Sequence, residues 1–172
     1  MIRYAELQCM SNFSFLEGAS HPEELVLQAA VLGLKALAIT DINSVSGLVR
    51  AHTAAKDHGV RLVIGTRLRL VDGPDVLIYP SDRAAYGRLT SLLTTGKRRA
   101  EKGACELYLS DLADTDFQCG AGQIACAVAP FAVTPVFTRR LHDLKTIFDR
   151  HVYLAATMLY RGNDARRLHT LS

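Results

Sequence analysis

The sequence lacks the features that mark several classes of protein. No apolar run approaches the roughly 20 residues that cross a bilayer, so no membrane association is expected. The N-terminus, MIRYAEL, is too polar for a secretory signal peptide. Low-complexity segments and linkers are also absent, and a hydrophobic fraction of 49% in 172 residues suffices for the core of one globular domain. These absences favour a cytoplasmic protein with a single domain over residues 1–172.

Cysteine is scarce and follows no metal-binding pattern. The four cysteines, Cys9, Cys105, Cys119 and Cys126, form no CxxC pair, so the sequence predicts no zinc knuckle. Cys9 and Cys126 lie in apolar runs typical of strands, where buried thiols are expected rather than disulfides. The net charge of +3 is mildly basic, which permits a polyanionic partner without arguing for one.

Strand and helix patterns alternate along the chain. A short strand, AELQCMS, precedes a helix over HPEELVLQAAVLG, for which Ser20 is the expected N-cap and Gly33 the end. The following strands and helices are KALAIT, SGLVRAHTAAKDHG, VRLVIG, TRLRLV, VLIYP and SDRAAYGRLTSLLTTG. After a loop region over 97–122 come QIACAVAP, AVTPV, RRLHDLKTIFDRH, HVYLAATML and a last helix in GNDARRLHTL. Repeated strand–helix units favour an α/β fold with a largely parallel sheet or barrel.

Polar side chains follow three of the predicted strands at their carboxyl ends. These segments are Gln8–Met10, Thr40–Asn43 and Gly65–Arg67. In parallel α/β folds the carboxyl ends of the strands meet at one edge and form the functional concavity. A pocket at this edge would hold one carboxylate, one guanidinium and several neutral groups.

The segments belong to longer motifs that resemble one family. AELxCxSNFSFLEGASHPEELVxxAAxLGxxALAITDxxxxxG is followed by VIGTRLRL, LIYPxDRxxYxRLxxLLTxGKRRAEKG and LYLSDL. In this order they resemble the N-terminal PHP domain of bacterial C-family replicative polymerases, with the greatest similarity to the error-prone branch. The resemblance is dense from residue 4 to about residue 112 and looser beyond it. It implies a distorted (β/α) barrel of the PHP type, incomplete at its C-terminus.

The resemblance also assigns metal-ligand positions. The metal-binding form of the family carries His-x-His after the first strand, Asp-His after the second and Glu after the third. Here these positions hold Gln8, Met10, Asp41, Ile42 and Arg67, so only Asp41 keeps a ligand. An amide and a thioether are poor donors for Mn²⁺ or Zn²⁺, and a permanent guanidinium repels a dication. We therefore predict no metal, no cofactor and no catalytic residue, and an Asp41–Arg67 ion pair in the vacated pocket.

The resemblance implies a parent protein that is an error-prone DNA-directed DNA polymerase acting in replication and translesion synthesis. Its catalytic carboxylates and Mg²⁺ would lie in the palm, beyond residue 172. This domain would be an inert structural part that packs on the palm and thumb and meets DNA only through the parent. Two alternatives stay open. One is a metal-dependent phosphoesterase or 3′–5′ exonuclease with a site rebuilt from Asp41, His21 and residues beyond the C-terminus, and the other is a free-standing binding module.

A basic run follows the helix pattern of SDRAAYGRLTSLLTTG. Lys97, Arg98, Arg99 and Lys102 are a possible contact for DNA phosphates or for a neighbouring polymerase domain. Nearby glutamates dilute this charge, so a solvated loop is the favoured interpretation.

Overall fold

The structure is a computed structural model that describes residues 4–114 and 120–171. The chain divides into two compact units, Met1–Leu68 and Arg69–Ser172. No helix within the described ranges is long and apolar enough to cross a membrane. Cys119 lies outside the described residues, and the single domain over 1–172 stays a prediction.

The first unit is built on a parallel sheet. Its elements are β1 (Ala5–Cys9), α1 (Pro22–Val31), β2 (Ala36–Ile39), α2 (Leu48–His58), β3 (Leu62–Ile64) and β4 (Thr66–Leu68). The strands β1, β2 and β3 pair in that order, all parallel, with β2 in the centre. Every residue of β2 is buried, as expected for an apolar strand with neighbours on both sides. The sequence prediction of parallel strand–helix units is confirmed for this unit.

The ends of the two helices in this unit follow from local chemistry. The residue before α1 is His21 and not Ser20, so the predicted N-cap is wrong by one position. Glu24 accounts for the difference, because its Oε2 accepts a hydrogen bond from the backbone N–H of His21 (2.7 Å). The other helix, α2, ends at Gly59, whose φ of 66° is the left-handed conformation that glycine adopts most readily.

The second unit mixes strand directions. Its elements are β5 (Val76–Pro80), α3 (Arg83–Arg99), α4 (Leu109–Ala113), β6 (Gln123–Val128), α5 (Pro135–Phe148), a 3₁₀ turn (Asp149–His151), β7 (Val152–Ala155) and α6 (Asp164–Leu171). The strands β5 and β6 are antiparallel, whereas β6 and β7 are parallel. The α/β class is thus confirmed, and the PHP-type barrel stays a prediction.

Two predicted boundaries in the second unit are wrong. The helix α3 does not stop at Gly96 but continues through Arg99. Gly96 serves packing instead, since a Cβ there would lie 2.7 Å from the side chain of Leu107. The predicted apolar run AVTPV contains the start of α5, where Thr134 Oγ1 accepts a hydrogen bond from Phe137 N (3.2 Å) and Pro135 opens the helix.

Candidate functional site

The carboxyl ends of the strands in the first unit meet through backbone hydrogen bonds. Thr40 N donates to the carbonyl oxygen of Cys9 (2.7 Å), and Arg67 N donates to the carbonyl oxygen of Asp41 (3.1 Å). Ile42 and Arg67 form a parallel bridge. The segments after β1 and β2 and the strand β4 therefore share one edge. Asp41 is buried there, and the side chains at positions 8, 10, 42 and 67 are partly buried.

Asp41 is the acceptor at the centre of this edge. Its Oδ1 accepts hydrogen bonds from Ser11 N (2.8 Å) and Ser14 Oγ (2.7 Å), and its Oδ2 accepts one from Ser11 Oγ (2.8 Å). The side chain is 1% exposed, so these donors replace the water that a carboxylate would otherwise bind. Ser14 Oγ also accepts from Ile42 N (3.0 Å). The carboxylate thus holds the loop that follows β1, and the predicted side-chain ion pair with Arg67 stays a prediction.

Close backbone approach seals the surroundings of Asp41. A Cβ on Gly47 would lie 2.9 Å from Asp41 Oδ2 and 3.1 Å from Ser11 Oγ. A Cβ on Gly18 would lie 2.2 Å from the carbonyl oxygen of Ser11, so the loop closes only with glycine at this position. Gly47 therefore allows its backbone to pack close to Oδ2 and to the Ser11 hydroxyl.

The donor set at this edge does not fit a divalent metal ion. Within residues 4–114 and 120–171, no three His, Cys, Asp or Glu side chains lie together in a group that could hold one. A hard or borderline cation needs several imidazole or carboxylate donors that converge. His21, the imidazole that follows the loop, is exposed and hydrogen-bonds Asn12 Nδ2 through Nδ1 (2.9 Å). The residues at this edge therefore would not hold the metal ion that hydrolysis by a metal-activated water needs.

Three residues of the basic run lie in a helix and not in a loop as predicted, whereas Lys102 lies in a turn after that helix. Lys97, Arg98 and Arg99 form the last turn of α3, where cationic side chains interact favourably with the helix dipole. Arg99 makes a bidentate ion pair with Asp111 at the start of α4 (both N–O distances 2.8 Å) and lies 5.3 Å from the ring centroid of Tyr108. Arg99 therefore fastens α3 to α4, whereas a DNA contact by its neighbours stays a prediction.

The match to a known family settles the class of the chain. The PHP domain family matches residues 6–155. The chain belongs to the PHP family. The positions to which the resemblance assigns metal ligands are 8, 10, 41, 42 and 67, and Asp41 is the acidic residue among them.

Several curated relatives of this PHP chain are named error-prone DNA polymerases. This chain is 48% identical over 170 residues to error-prone DNA polymerase 1 of Agrobacterium fabrum. It is 47% identical over 169 residues to the error-prone DNA polymerase of Caulobacter vibrioides. It is 50% identical over 173 residues to the enzyme of that name from Rhodopirellula baltica. The alignments cover 99%, 98% and 95% of this chain but about 15% of each relative. The resemblance to the error-prone branch is confirmed.

Solved structures show the same fold at low sequence identity. A candidate metal-dependent phosphoesterase from Bifidobacterium adolescentis superposes with a TM-score of 0.68 at 18% identity, covering 98% of this chain and 82% of that one. An amidohydrolase from Chromobacterium violaceum superposes with a TM-score of 0.61 at 16% identity, covering 86% and 75%. Both likenesses support the α/β fold of the PHP chain and carry no further argument.

The thiol of Cys9 lies at the same edge of the PHP sheet. Burial, helped by the nearby carboxylates of Glu6 and Asp41, raises its pKa from about 9 to about 11. The nucleophilic form of a cysteine is the thiolate. Cys9 and Cys126 are partly buried and not fully buried as predicted, and the raised pKa makes Cys9 a neutral, weakly reactive side chain near pH 7.

We expect iodoacetamide to alkylate Cys9 in the native protein on the order of a hundredfold more slowly than in urea at pH 7.5, because the thiolate fraction is that much smaller. Peptide mapping by mass spectrometry measures both rates. Since the folded pKa lies above the unfolded one, the thiol contributes stability below about pH 9 that is lost as the pH rises through about 11. Equal rates in the native and unfolded chain would contradict a partly buried, neutral thiol at position 9.

The Arg99–Asp111 pair predicts an acid effect. The hydrogen-bonded guanidinium of Arg99, together with the N–H of Tyr108, lowers the pKa of Asp111. A lowered folded pKa gives stability that is present above the unfolded pKa and is lost as the pH falls through the folded value. We expect Arg99→Gln to raise the pKa of Asp111 and to move acid unfolding to higher pH, followed by circular dichroism. Arg98→Gln, at the exposed neighbouring position, is the matched control. An equal shift of the unfolding pH in Arg98→Gln would contradict the Arg99–Asp111 pair.

Four residues that hold the site together were not among those predicted from the sequence. Ser11 and Ser14 bind the Asp41 carboxylate, and Gly18 and Gly47 allow the close backbone contacts around it. A signal was present in SNFSFLEG, where Ser and Asn surround a turn after a strand. Serine hydroxyls are common in such turns, so the pattern alone did not reveal their partner.

Proposed function

We propose that this PHP chain is a structural domain of an error-prone DNA polymerase and has no catalytic activity of its own. The parent would add deoxynucleotides during replication and translesion synthesis in the cytoplasm, with Mg²⁺ held by the palm. Its palm and thumb would be the direct partners of this domain, and DNA would be bound through the parent. The PHP-type (β/α) barrel that the resemblance implies belongs to the same proposal.

The observation that carries the proposal is the state of Asp41. It stands at the single family ligand position that still has an acidic residue, and its two carboxylate oxygens accept three hydrogen bonds from Ser11 and Ser14. A carboxylate engaged in this way stabilises the loop after β1 and is not presented to a cation. Asp41 is thus used as an anchor in the fold, at a position that serves metal binding elsewhere in the family.

A hydrolysis assay on the purified protein tests the proposal. Bis(p-nitrophenyl) phosphate and 3′-labelled single-stranded DNA are supplied with Mn²⁺ or Zn²⁺, and the wild type is compared with Asp41→Asn. We expect no metal-dependent turnover above that of the variant, because no metal-activated water is available. Turnover that needs the metal and is lost in Asp41→Asn would support the phosphoesterase or exonuclease instead.

The reading frame downstream of Ser172 tests the polymerase part of the proposal. A continuous frame that carries an Asp-x-Asp pair of the palm type supports a polymerase parent. A stop codon directly after Ser172 would support the free-standing binding module.

A further inference from the structure

The loop anchored by Asp41 carries exposed apolar side chains at its tip. Phe13, Phe15 and Leu16 are 42%, 83% and 89% exposed, although burying each of these side chains would lower the free energy. Single exposed apolar residues are common on protein surfaces, but three within four consecutive positions form a local patch. We refer to Phe13, Phe15 and Leu16 as the apolar tip.

The loop under the apolar tip is closed by its own backbone. Ser14 N donates to Ser11 O, Gly18 N to Ser14 O, and Asn12 N to Ser20 O, each at 2.9 Å. These bonds add to the three that the loop makes with Asp41. The tip is therefore preorganised, so binding to it loses little conformational entropy.

The backbone conformation of Leu16 also supports a binding role for the apolar tip. Its φ is 64°, a left-handed conformation that costs free energy for a residue with a Cβ. Such strain persists where the surrounding structure fixes it, and it occurs often at binding surfaces. Here it accompanies a side chain that is almost fully exposed in this unit.

The charge of the loop narrows the class of partner. Residues 11–20 contain Glu17 and no lysine or arginine. Binding to nucleic acid depends on cationic contacts with phosphates, and helices or loops that lie on anionic lipid surfaces use lysine and arginine in the same way. An aromatic and aliphatic tip without cations is typical of the centre of a protein–protein interface.

The occupant with the strongest argument is the remainder of the same polymerase chain. The relatives are far longer than this chain, which covers about 15% of each. A partner tethered to this unit has a high effective concentration, so a small apolar contact is enough for stable docking. We propose that the apolar tip docks into an apolar pocket of the polymerase chain beyond residue 172, and that Asp41 is the positioning residue for this contact. This inference rests on the proposed function.

Photocrosslinking in the full-length polymerase tests the docking. A p-benzoylphenylalanine replaces Phe15 or, as the matched control, Val49, which is 76% exposed on α2 of the same unit. After irradiation, peptide mapping identifies the crosslinked residues. We expect intrachain crosslinks to residues beyond 172 from position 15, in several-fold higher yield than from position 49. Crosslinks that join two chains, or an intrachain yield no higher than that of the control, would overturn the proposal.

Two milder variants test the energetics and the role of the anchor. Leu16→Ser removes an exposed apolar side chain and is expected to speed proteolytic release of this unit from the full-length polymerase several-fold, whereas Val49→Ser leaves the rate unchanged. Ser14→Ala loosens the anchor and is expected to lower the crosslink yield from position 15. No change in either variant would overturn the inference. Metal-dependent hydrolysis would instead refute the proposed function and leave the crosslinks unaffected, so the two failures are distinguishable.

Discussion

Replacing Asp41 with alanine is expected to lower the free energy of unfolding by about 3 kcal/mol or more, far beyond the effect of removing an exposed carboxylate. The variant leaves Ser11 N, Ser11 Oγ and Ser14 Oγ without their acceptor in a place that water does not reach. Each buried donor without a partner costs roughly 1–3 kcal/mol, although hydroxyls that rotate toward other acceptors recover part of it. Urea unfolding followed by circular dichroism measures the difference.

Two controls separate the anchor from a general effect of losing a carboxylate. Asp57 is exposed on α2 of the same unit, so Asp57→Ala is expected to change stability by less than about 0.5 kcal/mol. Asp41→Asn keeps one carbonyl acceptor and is expected to fall between the two. If Asp41→Ala were as stable as Asp57→Ala, the hydrogen bonds to the loop would not be what retains an acid at this position.

The second large effect is a gain of function. Restoring the family's ligands with Gln8→His, Met10→His, Ile42→His and Arg67→Glu is expected to raise Zn²⁺ affinity by at least on the order of a hundredfold. Three imidazoles and a carboxylate are added, and a permanent cation that repels a dication is removed. Isothermal titration calorimetry with Zn²⁺ measures the affinity of the variant and of the wild type.

The single substitution Arg67→Glu is the matched control for charge. It reverses the charge at the edge without adding an imidazole. We therefore expect its Zn²⁺ affinity to rise far less than that of the variant with all four substitutions. If the variant with all four substitutions bound Zn²⁺ no better than Arg67→Glu, the closed packing around Asp41, and not the missing ligands, would be what prevents metal binding. A wild type that already binds Zn²⁺ as tightly as the variant would contradict the account.

Much of the fold was predictable because apolar periodicity is local. β2 is buried along its whole length, as its unbroken apolar run predicts, and α2 ends at the predicted Gly59. The end of α3 was not predictable in this way. Gly96 has the appearance of a helix stop, and its role depends on the side chain of Leu107, which reaches it through tertiary packing.

The position of the candidate site could be predicted from the sequence, but the hydrogen-bond partners of its residues could not. Parallel strands bring their carboxyl ends together, so Asp41 and Arg67 were expected at one edge. The partners of the Asp41 carboxylate lie 30 and 27 residues away in sequence, at Ser11 and Ser14, and both are side chains common in any turn. The bidentate partner of Arg99 likewise comes from another helix. Such pairings depend on the packed structure and leave no periodic trace in the sequence.

The metal content of the purified protein shows whether Asp41 still binds a metal ion. The wild type and Asp41→Asn are dialysed against Mn²⁺ or Zn²⁺, freed of loosely bound ions, and measured by inductively coupled plasma mass spectrometry. We predict that both retain far less than one ion per chain and do not differ. One ion per chain in the wild type, lost in Asp41→Asn, would show that Asp41 still serves as a metal ligand and would contradict the account.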